Sequence, residues 1–181
     1  MKNAIVFIAD GTEECEALIT VDLLKRAGIR TTLVSVMGRK EVLTSHDIWI
    51  TADAAAEDAD YSSADALVLP GGIPGVHHIR ANETACGQIR AFAAQGKLVA
   101  AICAAPTVLA SLGLLENRRA TVYPGCEKDC TGAEMTGQRC VTDGNIITGQ
   151  AVGSTFDFAL TIILALLGKA AAEKVRSQVC Y

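Results

Sequence analysis

Aromatic side chains are scarce in this chain: four Phe, three Tyr and one Trp make up 4% of its 181 residues. A core must then be filled by aliphatic side chains and alanine, and half of the residues are apolar, enough for a large one. Positive charge is short too. Sixteen Lys and Arg stand against 20 Asp and Glu, a formal charge of −4 with no basic run, which argues against nucleic acid and its phosphates. Long apolar runs are missing. The most apolar segment, Phe158 to Leu167, is about half of the roughly twenty residues that cross a bilayer, so no membrane association is expected. Ala4 to Ala9 is too short for a signal sequence and runs straight into Asp10. Repeats, linkers and low-complexity segments are also absent. The expectation is one soluble, cytoplasmic domain over residues 1–181.

Seven cysteines are an odd number, spread without a repeating spacing, unlike a secreted disulfide framework. Cys126, Cys130 and Cys140 raise the question of zinc. A structural zinc site wants four ligands, usually in two close pairs, and only one loose pair is present, so no metal is expected.

What is present is a stretch that organises the rest, Lys97-Leu-Val-Ala-Ala-Ile-Cys-Ala-Ala-Pro-Thr-Val-Leu-Ala-Ser111. Leu98 to Ile102 is an apolar run of strand length. Ala104 to Leu112 is rich in helix formers, with Pro106 where a first turn tolerates a missing N–H. Cys103 sits at the junction, as in a nucleophile elbow, where a tight turn lifts one side chain above the sheet edge. To be mostly thiolate at neutral pH, a cysteine must fall from about 8.5 to below about 7, roughly 2 kcal/mol. A helix terminus usually supplies about 0.3–1 kcal/mol. A second donor is required.

In chain order, Ala4 to Ala9 reads as a buried parallel strand. Asp10-Gly-Thr-Glu-Glu14 leads into a helix through Ala17, Leu18, Val21 and Leu24, which Gly28 stops. Thr31 to Val36 is the second strand, and Val42 to Thr51 a hairpin or edge extension interrupted by Ser45-His-Asp47. Asp53 to Ser63 is a connection. Ala66 to Leu69 is a short strand ending in the loop Pro70-Gly-Gly-Ile-Pro-Gly75. Glu83 to Gln95 is a helix. Ala120 to Tyr123 is a strand, residues 126–139 an irregular flap, and Arg139 to Val141 and Asn145 to Thr148 two strands around Asp143-Gly144. Thr155 to Leu167 is a helix apolar on nearly every face, and Ala170 to Val179 a more polar one. In an open α/β sheet the loops at strand C-termini build the site, so the glycine loop and Cys103 can meet there.

Taken together, Ala9-Asp-Gly-Thr-Glu-Glu-Cys-Glu16, Leu69-Pro-Gly-Gly72 and Ala101-Ile-Cys-Ala-Ala-Pro106 resemble the ThiJ/PfpI superfamily, most closely its parkinsonism-associated protein deglycase branch. The match runs in order to Gly153-Ser-Thr-Phe-Asp-Phe158. The resemblance implies a flavodoxin-like three-layer α/β/α sandwich with a mostly parallel central sheet, a homodimer, no cofactor, and Cys103 as the reactive thiol. Glu16 matches the family's acid, a protonated carboxyl that donates to the sulfur. The N–H groups of Gly72 and Ala104 match an oxyanion pocket. Helical phase alone leaves Glu16 on the flank of the apolar face.

Two departures shape the functional reading. The protease branch carries His directly after its cysteine, where this chain has Ala104, so an intracellular peptidase or amidase is the weakest of three readings. The deglycase branch often carries His at the position of Tyr123, here a candidate hydrogen-bond donor at the site rim. His46, His77 and His78 lie elsewhere, which leaves proton transfer to Glu16. The expected substrates are small reactive carbonyls, such as methylglyoxal, or glycated adducts. The alternative is an oxidative-stress sensor or redox-regulated chaperone working through oxidation of Cys103.

Overall fold

A computed structural model describes all residues, 1–181. Strand β1 (Asn3–Ile8) leads to helix α1 (Glu14–Arg26) and strand β2 (Arg30–Ser35). The short strands β3 (Glu41–Leu43) and β4 (Trp49–Thr51) pair as an antiparallel hairpin apart from the main sheet. Next come β5 (Ala54–Ala55), β6 (Ala66–Leu69), α2 (Ile73–Ala81), α3 (Glu83–Ala94), β7 (Leu98–Ile102) and α4 (Pro106–Ser111). The chain continues through β8 (Arg119–Ala120), β9 (Glu134–Met135), β10 (Cys140–Asp143) and β11 (Ile146–Gly149), then closes with α5 (Thr155–Leu167) and α6 (Lys169–Gln178).

The main sheet has seven strands in the order β10-β11-β7-β6-β1-β2-β5, parallel except for the edge strand β10. Alternation along the strands divides two core layers. Ile5, Phe7, Leu67, Leu69, Val99 and Ala101 face the layer covered by α2, α3 and α4. Ala4, Val6, Ala66, Val68, Ala100 and Ile102 face α1, α5 and α6. Aliphatic residues and alanine fill both layers, with Phe7 and Phe158 the only aromatics among the largest fully buried side chains. This is the three-layer α/β/α sandwich the sequence implied.

Five local readings change. The glycine loop ends at Gly72, because Ile73 already begins α2, with Pro74 in its first turn, where a missing N–H is harmless. Cys103, Ala104 and Ala105 form a turn, and α4 starts only at Pro106. The segment expected as a strand at Ala120 to Tyr123 pairs only at Arg119–Ala120, in a separate two-stranded sheet with β9. The polar flap therefore contains β9 and a 3₁₀ turn, Glu127–Asp129. Helix α5 is buried through Phe158, Ala159, Leu160, Ile162 and Ile163 but leaves Leu164 and Leu167 exposed.

The sheet order places a topological switch beside β1. Strand β2 lies on one side of β1 and β6 on the other, so the connections after β1 and β6 diverge to opposite faces. The crevice at such a point, outside the strand carboxyl ends, is where open α/β sheets bind ligands.

Candidate active site

The loops after β1, β6 and β7 bring Glu16, Gly71, Gly72 and Cys103 together. Cys103 has φ +64°, a left-handed conformation that costs an L-residue roughly 1–2 kcal/mol. Hydrogen bonds hold this turn from both sides. Its N–H donates to Gly149 O at 3.0 Å, and its carbonyl accepts from Tyr123 N–H at 2.8 Å. The sulfur is thereby turned toward α1 and the glycine pair, half-buried rather than sealed.

Glu16 is fully buried, which helical phase could not decide. Its Oε2 accepts from the Gly71 N–H at 2.8 Å, whereas Oε1 has no hydrogen-bond partner of good geometry. The carboxyl faces the Cys103 thiol. Glu13 caps α1, its Oε2 accepting from the Glu16 N–H at 2.6 Å, while the Glu13 N–H donates to Gly71 O at 3.0 Å. These two bonds clamp the start of α1 against the loop after β6.

The glycine pair is required sterically. A Cβ on Gly71 would lie 2.6 Å from Cys103 Cβ, 2.7 Å from Glu16 Oε2 and 3.0 Å from the sulfur. Gly72 has φ +88°, and a Cβ there would lie 2.1 Å from Gly11 O. Its N–H and that of Ala104 favour the charged form of the Cys103 sulfur.

Burial pushes Glu16 up to about 7; the Gly71 N–H and the thiol oppose that rise, and the charge of Glu13 adds to it. Burial, then the charge and hydrogen bond of Glu16, pushes Cys103 up to about 12 against the two backbone donors. The low first titration therefore belongs to the pair rather than to the thiol alone. A carboxylate beside the sulfur opposes a second negative charge. From about 7 to about 12 the pair holds one proton and one charge between them.

The remaining residues take their places around this pair. Tyr123 contacts the Cys103 turn through its backbone, and its side chain is exposed. His77 and His78 lie exposed on α2. His46, at the tip of the β3–β4 hairpin, sets Nδ1 2.5 Å from Glu14 Oε1, and Ser45 Oγ donates to Glu14 Oε2 at 3.1 Å. Glu13, Glu14 and His46 hold the one grouping of three potential metal-ligand atoms lying mutually within 4.8 Å, and Cys126, Cys130 and Cys140 do not form one. Sequence reasoning missed Gly71 and Glu13. Glu13 had a signal, an acid three residues before Glu16 at a helix start, a capping spacing.

Residues 2–165 match the model of the DJ-1/PfpI family. The chain belongs to that family. It is 35% identical over 176 residues to the protein dj-1beta of Drosophila melanogaster, covering 96% of this chain and 94% of the other. A deglycase of Pyrococcus abyssi is 32% identical over 156 residues, 85% of this chain and 93% of that one. Among solved structures, oxidised DJ-1 of Toxoplasma gondii superposes with a TM-score of 0.96 at 31% identity, over 100% of this chain and 99% of its own. DJ-1/PfpI membership and the flavodoxin-like fold are thus common ground between sequence and structure. No helix is long and apolar enough to cross a membrane.

Proposed function

We propose that this DJ-1/PfpI protein is a cysteine-dependent enzyme acting on small reactive carbonyls, methylglyoxal or its glycated adducts, with Cys103 as nucleophile and Glu16 as proton donor and shuttle. The observation that carries the reading is the Cys103–Glu16 pair: a half-buried thiol with a fully buried carboxyl against it, both packed on the glycine loop, and the Gly72 and Ala104 N–H groups favouring the thiolate. In the reactive form the shared proton sits on Glu16 and the charge on sulfur.

The thiolate adds to the aldehyde carbon, and the C–S bond forms as the carbonyl π pair moves onto oxygen. That oxygen, held by the Gly72 and Ala104 N–H groups, takes the Glu16 proton and gives a hemithioacetal. The Glu16 carboxylate next removes the proton from the carbon bearing sulfur to give an enediolate and returns it to the neighbouring carbon, while the hydroxyl proton passes from the oxygen on the sulfur-bearing carbon to the oxygen next to it, leaving a thioester of a 2-hydroxy acid. Water cleaves the thioester, releasing the acid and restoring the thiol. No cofactor enters any step. In this reading the protein works as a cytoplasmic homodimer, in keeping with the apolar Leu18 and Leu164 exposed on α1 and α5.

The test is turnover of methylglyoxal by purified protein beside the Cys103→Ala variant. Activity lost with the thiol is the expected result, and equal turnover, or none in either, overturns the proposal. A second reading, an oxidation sensor, is favoured by the half-exposed sulfur beside a carboxyl that can donate to an oxidised product. Mild peroxide followed by intact and peptide mass separates the two: selective gain of two oxygens on Cys103 without carbonyl turnover supports the sensor.

A further inference from the structure

Cys103 holds a left-handed φ of +64°, and a residue so strained keeps its place only where its surroundings over-determine it. Backbone bonds supply part of that hold. The Cys103 N–H donates to Gly149 O at 3.0 Å, its carbonyl accepts from the Tyr123 N–H at 2.8 Å, and the Ala105 N–H donates to Ile102 O at 3.0 Å. What remains is the Ala104 carbonyl, on the far side of the residue whose N–H favours the thiolate.

That carbonyl is held by a relay from two helices. The Thr107 hydroxyl, in the first turn of α4, donates to Ala104 O at 2.7 Å, beside the Thr107 N–H, which donates to the same oxygen at 3.1 Å. Arg80 Nη2, in the last turn of α2, donates to Thr107 Oγ1 at 2.7 Å. A hydroxyl has one proton to give, and Thr107 is buried. With the guanidinium on a lone pair of Oγ1, that proton is directed at Ala104 O. A charged donor makes such a bond roughly twice as strong as a neutral one. No carboxylate pairs with Arg80, so no ion pair draws the guanidinium away from Thr107.

The same contact joins the two halves of the donor pair. Gly72 caps the start of α2, and Arg80 sits near the end of that helix. The Arg80–Thr107 contact is the one hydrogen bond that ties α2 to the segment from Cys103 to Ser111. How the Gly72 N–H stands relative to the Ala104 N–H therefore depends on it.

We propose that Arg80 is a positioning residue for Cys103, acting through Thr107: it locks the strained turn and sets the Gly72 and Ala104 N–H groups at the spacing that receives the thiolate and, in turnover, the oxyanion. The proposal rests on Cys103 being the reactive thiol. No proton moves along the relay, and its contribution is geometric.

The test is the alkylation rate of Cys103 at about pH 8, read as peptide mass after limiting iodoacetamide, with the exposed Cys180 in the same digest as internal standard. Arg80→Leu and Thr107→Val are each expected to lower the Cys103 rate relative to Cys180 about fivefold, the worth of one net hydrogen bond. Thr107→Ser keeps the hydroxyl and is expected to react as the parent does. The two losses are expected not to multiply in the double variant, because the two residues form one chain. An unchanged rate in Arg80→Leu, multiplied losses in the double variant, or an equal loss in Thr107→Ser overturns the proposal. A merely structural Arg80 lowers Tm and leaves the ratio of the two thiol rates alone.

Turnover separates this proposal from the carbonyl reading. Where the parent consumes methylglyoxal, Arg80→Leu is expected to lower kcat with KM near the parent's, as loss of a contact made only in the transition state does. A change confined to KM overturns the oxyanion half of the proposal. A parent without turnover removes the carbonyl chemistry, and the alkylation series still decides the role of Arg80.

Discussion

Replacing Glu16 by Gln removes one ionisation while keeping an oxygen for the Gly71 N–H, and its effect on stability follows from where Glu16 sits. The carboxyl is fully buried and titrates at about 7 in the fold against 4.5 for the free group. The folded chain therefore holds this proton more tightly than the unfolded chain does. The resulting stabilisation is fully present below about pH 4.5 and is lost as the pH rises through about 7. Two and a half pKa units correspond to about 3 kcal/mol. A glutamine side chain carries no such dependence, so the Glu16→Gln variant gains about 3 kcal/mol relative to the parent between pH 4 and pH 8. The assay is urea unfolding of both proteins at pH 4, 5, 6, 7 and 8, with the difference in ΔG plotted against pH. Other carboxylates, such as Asp10 and Asp65, are held below their usual range and act in the opposite direction, but they cancel in the difference. Parallel curves refute the reasoning, because they mean that Glu16 ionises in the fold as it does in water.

Gly71→Ala drives a methyl against Cys103 Cβ, Glu16 Oε2 and the sulfur, and is expected to abolish methylglyoxal turnover while costing about 1–3 kcal/mol in urea unfolding. Because Cys103 holds φ +64°, Cys103→Gly is expected to be more stable than Cys103→Ala by about 1 kcal/mol, seen as a higher Tm. His46→Ala breaks a pairing between an exposed imidazole and the buried Glu14 carboxyl, which keeps its Ser45 Oγ donor, and is expected to lower stability by about 1 kcal/mol, with the Cys103 alkylation rate within twofold of the parent.

The residues that make the fold are those whose pattern is local. Continuous apolar runs at Ala4 to Ala9, Ala66 to Leu69 and Leu98 to Ile102 are buried on both faces, as a parallel sheet between two helical layers requires. Helix α1 is marked by its acidic first turn and by Gly28 after it. What sequence could not supply is long-range. Glu16 lies on the flank of the α1 apolar face, and only the clamp made by Glu13 and Gly71 turns it to the sulfur. Tyr123 lies on a β-prone run, yet its backbone pairs with Cys103 instead of a sheet neighbour, a competition decided by the turn after β7. A thiolate at Cys103 needs a second donor, and Glu16 supplies a neighbour of the right kind. That same neighbour, once ionised, raises the thiol, so the charge is a property of two residues that neither carries alone.

The alkylation rate of Cys103 against pH, followed by the mass of the peptide that carries it after limiting iodoacetamide, reads the sulfur's charge without any assumption about substrate. A proton shared with Glu16 predicts a rise through about pH 7 to a plateau extending past pH 9, with the lower inflection gone in Glu16→Gln. A single rise near or above the ordinary thiol value of about 8.5, the same in both proteins, contradicts it.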